Sequence, residues 1–222
     1  MEKKTKNATF KYEKNDSFLI EELEKYLDSN SVRIYDFFGI KDNQNKPIIN
    51  IIATKSKLDD IHRKFNNLKS SDEVPKWLVG LSTSDMQIYC LSLNDYKNTT
   101  HAFEACDYDK QLDRYKKTIL HEFIHYVNRL FCKKNNCVIT AKYLVEGIAQ
   151  YLSNQKDGLV LQFDYSLNDI LNSNNCYDGW YLVTKYIIEN YPREFFLELL
   201  LDKSKADEFL ENSFKEIKNE FK

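Results

Sequence analysis

Hydrophobic residues recur every three or four positions along much of the chain, which predicts a helix-rich fold. The strongest stripe predicts a helix over residues 109–131; its members are Leu120, Phe123, Ile124, Val127 and Phe131. Similar spacing predicts further helices over residues 16–28, 30–39, 56–69, 141–154, 193–201 and 205–221. Gly39 is expected to end one helix. Thr140, flanked by Ile139 and Leu144, is expected to cap another as part of a hydrophobic staple.

Other stretches have the composition of strands. A β-branched run over residues 48–54 predicts a core strand, and residues 77–82 and 86–93 flank a turn sequence that predicts a hairpin. Residues 159–163 are short and apolar, which suits a brief strand or a supporting loop. The pattern as a whole predicts an α+β fold, with a small mixed sheet followed by a mainly helical C-terminal part.

The chain is long enough to bury a core as one domain, since it has 222 residues of which 42% are hydrophobic. No internal repeat or low-complexity linker divides it. Within residues 1–222 we expect two lobes around a cleft, an N-terminal one over about 30–131 and a C-terminal one over about 132–222. Residues 1–30 are left as an extension without an assigned role.

Two histidines on the predicted helix over 109–131 have the spacing of metal ligands. His121 and His125 are separated by four positions, so both lie on one face of a helix, where two imidazoles can bind one Zn²⁺. Glu122 follows the first histidine directly and can take a proton from water at the metal without binding the metal itself. The alternative is a surface helix that carries two unconnected histidines.

A third ligand is needed, because catalytic zinc sites usually take three protein ligands. Glu146 follows His125 by 21 positions and lies among apolar residues, where a bare carboxylate would be costly unless it is paired or bound to a metal. Gly147 and Ala149 are small and would let this helix pack closely against another. The alternative is an exposed glutamate on an amphipathic helix.

The pattern His121-Glu122-x-x-His125 followed by Glu146-x-x-Ala149 resembles the gluzincin branch of the zincins, the thermolysin-like metallopeptidases. The form Glu146-Gly147-x-Ala149-x-Tyr151 resembles the peptidase MA-like domains and minigluzincins more closely than thermolysin itself. The resemblance covers about residues 77–200 well and residues 30–76 more weakly. It implies a zincin-like fold, with one Zn²⁺ per chain and a sheet whose edge strand lies over the helix with the two histidines.

The resemblance also implies roles for residues outside the ligand set. The strand before the first histidine helix is, in this family, the edge strand that pairs with the substrate backbone, and here it would carry Ile88 and Cys90. Residues 177–192 resemble a helix with the family's Tyr-x-x-Gly motif, although the glycine falls one place early. Tyr177 would therefore stabilise the oxyanion, with Tyr181 as the next candidate. Gln150 would orient a ligand histidine, where thermolysin-like enzymes use aspartate.

Composition limits the partners. The net charge of −2 provides no basic field for nucleic acid. The sequence has no secretory signal or apolar run of membrane-spanning length, so we expect a cytoplasmic protein without membrane contact.

The five cysteines are an odd number, so they cannot all be paired in disulfides within one chain. Cys132 and Cys137 could form a disulfide or half of a second metal site, but reduced thiols fit a cytoplasmic protein best.

These observations predict a zinc-dependent peptidase that acts on a peptide or protein substrate. An endopeptidase is favoured, because the Gly-x-Met-x-Asn segment with which aminopeptidases of this branch bind a free amine is missing from the sequence. The alternative is a zincin-like protein-binding or regulatory module without catalysis. Glu122 argues against that alternative, since a structural zinc site gains nothing from this carboxylate. The sequence leaves the oligomeric state open.

Overall fold

The computed structural model describes residues 1–41, 46–99, 108–137 and 140–222. Its strands are β1 (Glu2–Lys4), β2 (Thr9–Lys11), β3 (Ile48–Ile52), β4 (Gly80–Ser82) and β5 (Gln87–Leu91). Its helices are α1 (Ser17–Phe37), α2 (Lys55–Phe65), α3 (Leu93–Tyr96), α4 (Tyr108–Lys134), α5 (Lys142–Leu152), α6 (Leu167–Asn172), α7 (Tyr177–Asn190), α8 (Arg193–Leu201) and α9 (Lys203–Glu220). The α+β class is confirmed, as is the mainly helical C-terminal part.

The five strands form one mixed sheet in the order β1-β2-β3-β5-β4. β3 is central and pairs in parallel with β2 and β5, while β1 and β4 pair antiparallel at the two ends of the sheet. The predicted hairpin is confirmed as β4 and β5. Residues before position 30, which the sequence left without a role, supply β1, β2 and the start of α1.

Alternation along the strands separates the two faces of the sheet. One face is almost completely buried and is formed by Phe10, Ile49, Ile51, Ile88 and Cys90. On the other face α2 packs through Leu58 against Leu81 and Leu91, with Ile52 and Tyr89 at the margin of that cluster. The sheet therefore has helices or loops over both faces, as expected for strands with so many β-branched residues.

Most helix boundaries agree with those predicted from the local sequence, and two differ. Residues 16–28 and 30–39, predicted as separate stretches, lie in the single helix α1, within which the side chains of Ser29 and Asn30 donate to the carbonyl of Tyr26. Gly39 ends this region as predicted, with φ +62°. The predicted cap at Thr140 is wrong: Ala141 caps α5 without a side-chain hydrogen bond, and Ile139 lies outside the described residues.

The segment over residues 159–163 is irregular, and its amide at Phe163 donates to the carbonyl of Phe221 at 2.9 Å. It is therefore the supporting loop rather than the strand that the sequence also allowed. None of the helices in the described ranges combines the length and apolarity needed to cross a membrane.

The chain forms two compact units. The first comprises residues 1–36 and 40–126 and contains the sheet, and the second comprises residues 37–39 and 127–222. The boundary falls within α4, after Tyr126, some five positions before the boundary expected from the sequence. In the second unit α5 packs along α7, and the fully buried Trp180, Phe196 and Leu210 contribute to its core.

Candidate metal centre

Helix α4 carries the two histidines on a face that is buried like its apolar stripe. Leu120, Phe123, Ile124 and Val127 are inaccessible to solvent, and Phe131 is nearly so. On the neighbouring face of α4, Thr118, His121 and Asn128 are also buried, and His125 is half-buried. A helix with two buried faces is expected at the floor of a site rather than on a surface, so the alternative of two unconnected surface histidines is wrong.

The two imidazoles converge through one nitrogen each. Nε2 of His121 lies 3.0 Å from Nε2 of His125, and the ring planes are almost perpendicular, with centroids 4.6 Å apart. Two unprotonated ring nitrogens at this separation repel each other unless a proton or a cation lies between their lone pairs. The spacing of four positions on a helix produces this arrangement directly.

Glu146 of α5 is the third member of a group that could hold a metal ion. One carboxylate oxygen of Glu146 and one ring nitrogen each from His121 and His125 all lie within 4.8 Å of one another. Within the described ranges this is the only group of three or more histidine, cysteine, aspartate or glutamate residues arranged in this way. Glu146 is half-buried. The chain therefore contains a possible metal-binding triad at the three positions that the sequence singled out.

The donor set fits zinc. Two imidazole nitrogens and one carboxylate oxygen are donors that Zn²⁺ accepts, and a three-ligand set leaves one position open, as in catalytic rather than structural sites. Zn–N bonds of about 2.0–2.1 Å can bridge two nitrogens that are 3.0 Å apart. The nitrogen donors also disfavour Ca²⁺ and Mg²⁺, which prefer oxygen ligands.

Glu122 lies beside the triad in sequence but is not one of its members. Its side chain is 7% exposed and packs against the backbone of Gly80 in β4. A Cβ atom at position 80 would lie 2.9 Å from Cγ of Glu122 and 3.0 Å from Oε1. Only glycine therefore leaves the Glu122 carboxyl group in its observed place.

Cys90 of β5 lies close enough to the Glu122 carboxyl group for the charge of Glu122 to act on its thiol. Burial, and after it the negative charge of Glu122, raises the pKa of the Cys90 thiol well above its ordinary value. Cys90 also raises the pKa of the Tyr115 hydroxyl, which burial raises first. The Cys90 thiol is fully buried and therefore belongs to the protein interior, out of reach of a substrate.

The prediction that the strand with Ile88 and Cys90 is the edge strand is wrong. β5 pairs with β3 on one side and β4 on the other, so Ile88 and Cys90 belong to an interior strand and both are fully buried. The strand at this end of the sheet is β4. Both strands of the hairpin had suitable composition, and only the pairing with β3, 39 residues away in sequence, decides which one is interior.

Gln150 has partners different from those expected. Its side-chain amide donates to the carbonyl of Tyr177 at 3.0 Å and to the carbonyl of Glu146 at 3.4 Å. The residue is 2% exposed. Because these acceptors are backbone atoms, Gln150 ties the start of α7 to α5. In the part of the chain that the structure describes, it makes no hydrogen bond to His121 or His125, so the expected contact with a histidine of the triad is absent there.

Tyr177 begins α7, where its ring packs against Trp180 with centroids 5.1 Å apart. Tyr181 packs against Tyr151, and burial followed by the charge of Asp157 raises the pKa of its hydroxyl. Both tyrosines are half-buried. The role of Tyr177 at an oxyanion stays a prediction.

Gly80 is the residue of this site that the sequence analysis missed. A glycine in the interior of an apolar strand is a signal for the close approach of another group, and Gly80 interrupts such a stretch. That signal says nothing about which group approaches. The contact with Glu122 joins residues 42 positions apart, and no local pattern encodes it.

The remaining thiols do not form a second metal site in the described ranges. None of Cys90, Cys132, Cys137 and Cys176 is in a disulfide, and none belongs to a group of three metal-binding side chains there. Cys106 lies outside the described residues.

Comparisons with models of protein families, with curated proteins and with solved structures found no match to this chain.

Proposed function

We propose that this protein is a zinc-dependent peptidase that cleaves bonds within extended peptide segments. The observation that supports this most directly is the convergence of His121, His125 and Glu146, with Glu122 adjacent to the first ligand but outside the set. A site that only held a metal for structure would have no use for a buried carboxyl group at that position. The sequence resemblance to gluzincins agrees with this proposal.

His121, His125 and Glu146 would hold the zinc ion. When bound, zinc supplies Lewis acidity, which polarises a carbonyl oxygen and lowers the pKa of a water ligand to about 7. Glu122 would accept the proton of the attacking water and pass it to the departing amine nitrogen, as a general base and then a general acid. Gly80 would keep the Glu122 carboxyl group in position for both transfers.

The substrate would lie along β4 in our proposal. The amide of Thr83 donates to the carbonyl of Gln87, and the amide of Leu91 donates to the carbonyl of Val79. In an antiparallel ladder these bonds alternate, so Leu81 faces β5, while the N–H and C=O groups of Gly80 point away from β5, toward the outer edge of β4. An extended peptide can pair with that edge through its main chain, which requires little side-chain identity.

The oxyanion that forms during attack would need a donor in addition to the metal. Tyr177 is the proposed donor, because it begins α7 and Gln150 anchors its carbonyl to α5, the helix that carries Glu146. Fixing the backbone at the start of α7 would limit the positions that the Tyr177 ring can take. A donor that is already in place lowers the barrier without reorganisation during the reaction.

A proteome-derived peptide library tests the activity. The purified full chain is incubated with the library, with and without a chelator, and new peptide termini are identified by mass spectrometry. We expect cleavage within peptides, its loss with chelator and its return with added Zn²⁺. Glu122→Gln is the matched control, since it should keep the metal and lose cleavage. A metal-loaded protein that cleaves nothing in the library would contradict the proposal.

A further inference from the structure

The C-terminal end of α4 has a specific backbone geometry. Asn136 adopts φ +54°, the left-handed conformation that commonly follows a helix. The amide of Cys137 donates to the carbonyl of Cys132 at 2.9 Å, and the amide of Asn136 donates to the carbonyl of Lys133 at 3.3 Å. These two bonds over five and three positions define a Schellman motif, in which Cys132 and Cys137 are the first and last residues.

The motif brings the side chains of its first and last residues together. This contact is usually made by two hydrophobic residues, and here both are cysteines. The two thiols are neighbours: after burial, the Cys137 thiol is the next cause that raises the pKa of Cys132, which reaches about 12. Both residues are half-buried, so a small reagent can reach them.

Each thiol also has a second neighbour. Sγ of Cys132 donates to Oδ1 of Asn128 at 3.6 Å, and Sγ of Cys137 donates to the carbonyl of Leu201 at 3.3 Å. Cys90 and Cys176 differ from this pair, because each of them is buried. Among the described residues, the end of α4 is therefore where a disulfide requires the least change.

We propose that Cys132 and Cys137 form a reversible disulfide that closes the end of α4, and that this pair is a site of oxidative modification. A disulfide needs Cα atoms about 4.4–6.8 Å apart, and the direct backbone hydrogen bond between the two residues holds them close together. The proposal does not depend on peptidase activity, and its test requires none.

The oxidant in this reaction is a small disulfide such as oxidised glutathione. One cysteine thiolate attacks a sulfur of glutathione disulfide, which forms a mixed disulfide and releases one glutathione thiolate. The second cysteine then attacks the protein sulfur of the mixed disulfide and releases the second glutathione. Two protein thiols are oxidised, one glutathione disulfide is reduced, and the two protons from the cysteines go to the two glutathione thiolates.

Each cysteine must act once as the nucleophile, whichever reacts first. The step that uses Cys132 requires its thiolate, which is scarce near neutral pH because burial and the Cys137 thiol raise its pKa to about 12. Oxidation should therefore be slow near neutral pH, and its rate should rise about tenfold per pH unit while pH stays below that pKa. The motif favours the disulfide at equilibrium, whereas the pKa limits only the rate.

The test measures disulfide formation in the folded full chain. Reduced protein is equilibrated with mixtures of reduced and oxidised glutathione at about pH 8, the remaining thiols are alkylated, and tryptic peptides are identified by mass spectrometry. Trypsin cuts after Lys133 and Lys134, between the two cysteines, so the disulfide appears as two linked peptides. We expect this linkage in the native chain and in Cys176→Ser, and its loss in Cys132→Ser and Cys137→Ser.

Two comparisons test whether the fold favours the pair. The equilibrium constant for oxidation should be at least about tenfold larger in the folded chain than in concentrated guanidinium. Asn136→Gly should keep the value, because glycine adopts positive φ freely, and Asn136→Val should lower it, because a β-branched residue resists that conformation. Equal constants in folded and unfolded protein, or a linkage of Cys132 to another cysteine, would overturn the proposal.

Discussion

Gly80 and Glu122 are in direct contact, with the Glu122 carboxyl group occupying the space that a side chain at position 80 would fill. The ideal Cβ position at Gly80 is 2.9 Å from Cγ of Glu122, 3.0 Å from Oε1 and 3.3 Å from Cδ. The backbone of one end of the sheet therefore forms one wall of the place where the proposed base lies. Among the described residues, the three atoms nearest to that position all belong to Glu122, so any change at Gly80 acts first on that side chain.

Gly80→Ala is expected to impair turnover far more than metal binding. The added methyl group forces the Glu122 carboxyl group to move, and a displacement of about 1 Å at a reacting group costs about 10²-fold in rate. We expect kcat to fall by about that factor with unchanged zinc content, as measured by steady-state kinetics and elemental analysis. Ser82→Ala in the same strand is the control and should retain activity. Normal turnover in Gly80→Ala would mean that Glu122 does not act from its observed position.

The three proposed ligands should be separable from the proposed base by metal analysis. His121→Ala and Glu146→Ala each remove a donor atom, so zinc content should fall from about one per chain to a small fraction of that value. Glu122→Gln should retain the metal, because Glu122 is not a member of the ligand group. Full zinc occupancy in His121→Ala or Glu146→Ala would disprove the ligand assignment, whatever the activity of the variants.

Tyr177→Phe tests the proposed oxyanion donor. Loss of one such donor typically lowers turnover by about 10²–10³. We expect that decrease in kcat, with little change in KM or zinc content, because the Tyr177 ring can still pack against Trp180. Tyr181→Phe is the matched comparison, since Tyr181 lies one helical turn further along α7 and packs against Tyr151. If only Tyr181→Phe is slow, the donor is Tyr181; if neither is slow, the donor is another residue.

Gly147→Ala should destabilise the second unit. A Cβ atom there would lie 2.0 Å from Oγ1 of Thr184 and 2.4 Å from the carbonyl oxygen of Trp180, so α5 would have to move away from α7. Overpacking of this kind typically costs about 1–3 kcal/mol, against which better helix propensity returns less than about 1 kcal/mol. Urea denaturation should show this loss. Thr184→Ala in the same background should recover only part of it, because the Trp180 carbonyl remains.

The same substitution should also weaken zinc binding, because Gly147 adjoins Glu146 on the helix that would shift. Competition with a chelating dye would measure this, and Thr184→Ala alone serves as the control that leaves α5 in place. Wild-type stability together with wild-type zinc affinity in Gly147→Ala would contradict this prediction. It would mean that the close contact of Gly147 with α7 is needed neither for the fold nor for the position of Glu146.

The helix that carries the two histidines was predictable because its determinants are local. A stripe of apolar residues every three or four positions specifies a helix and its buried face, and four positions between His121 and His125 bring their imidazoles together on any helix. The hairpin of β4 and β5 followed in the same way from two apolar stretches around a polar turn. Gly39 ended α1 as expected, since positive φ there suits glycine.

Cap and end positions were less predictable, because several nearby residues can satisfy the same backbone groups. Thr140 had the right chemistry for a cap, yet the helix starts one position later and uses Ala141 without any side-chain bond. At the C-terminal end of α4, Cys132, Asn136 and Cys137 form a Schellman motif. The spacing of the two cysteines in the sequence suggested only that they could pair.

By itself, the sequence determined the α+β class, the helix with His121, Glu122 and His125, and Glu146 as the third ligand of a possible metal site. Tertiary structure alone decided that β4 is the edge strand, that Ile88 and Cys90 are interior, and that Gln150 binds the Tyr177 carbonyl. It also decided that Gly80 meets Glu122. The physical reason is the range of the forces involved: helical periodicity is encoded within about two turns, whereas strand order and close backbone contacts depend on pairings between segments tens of residues apart.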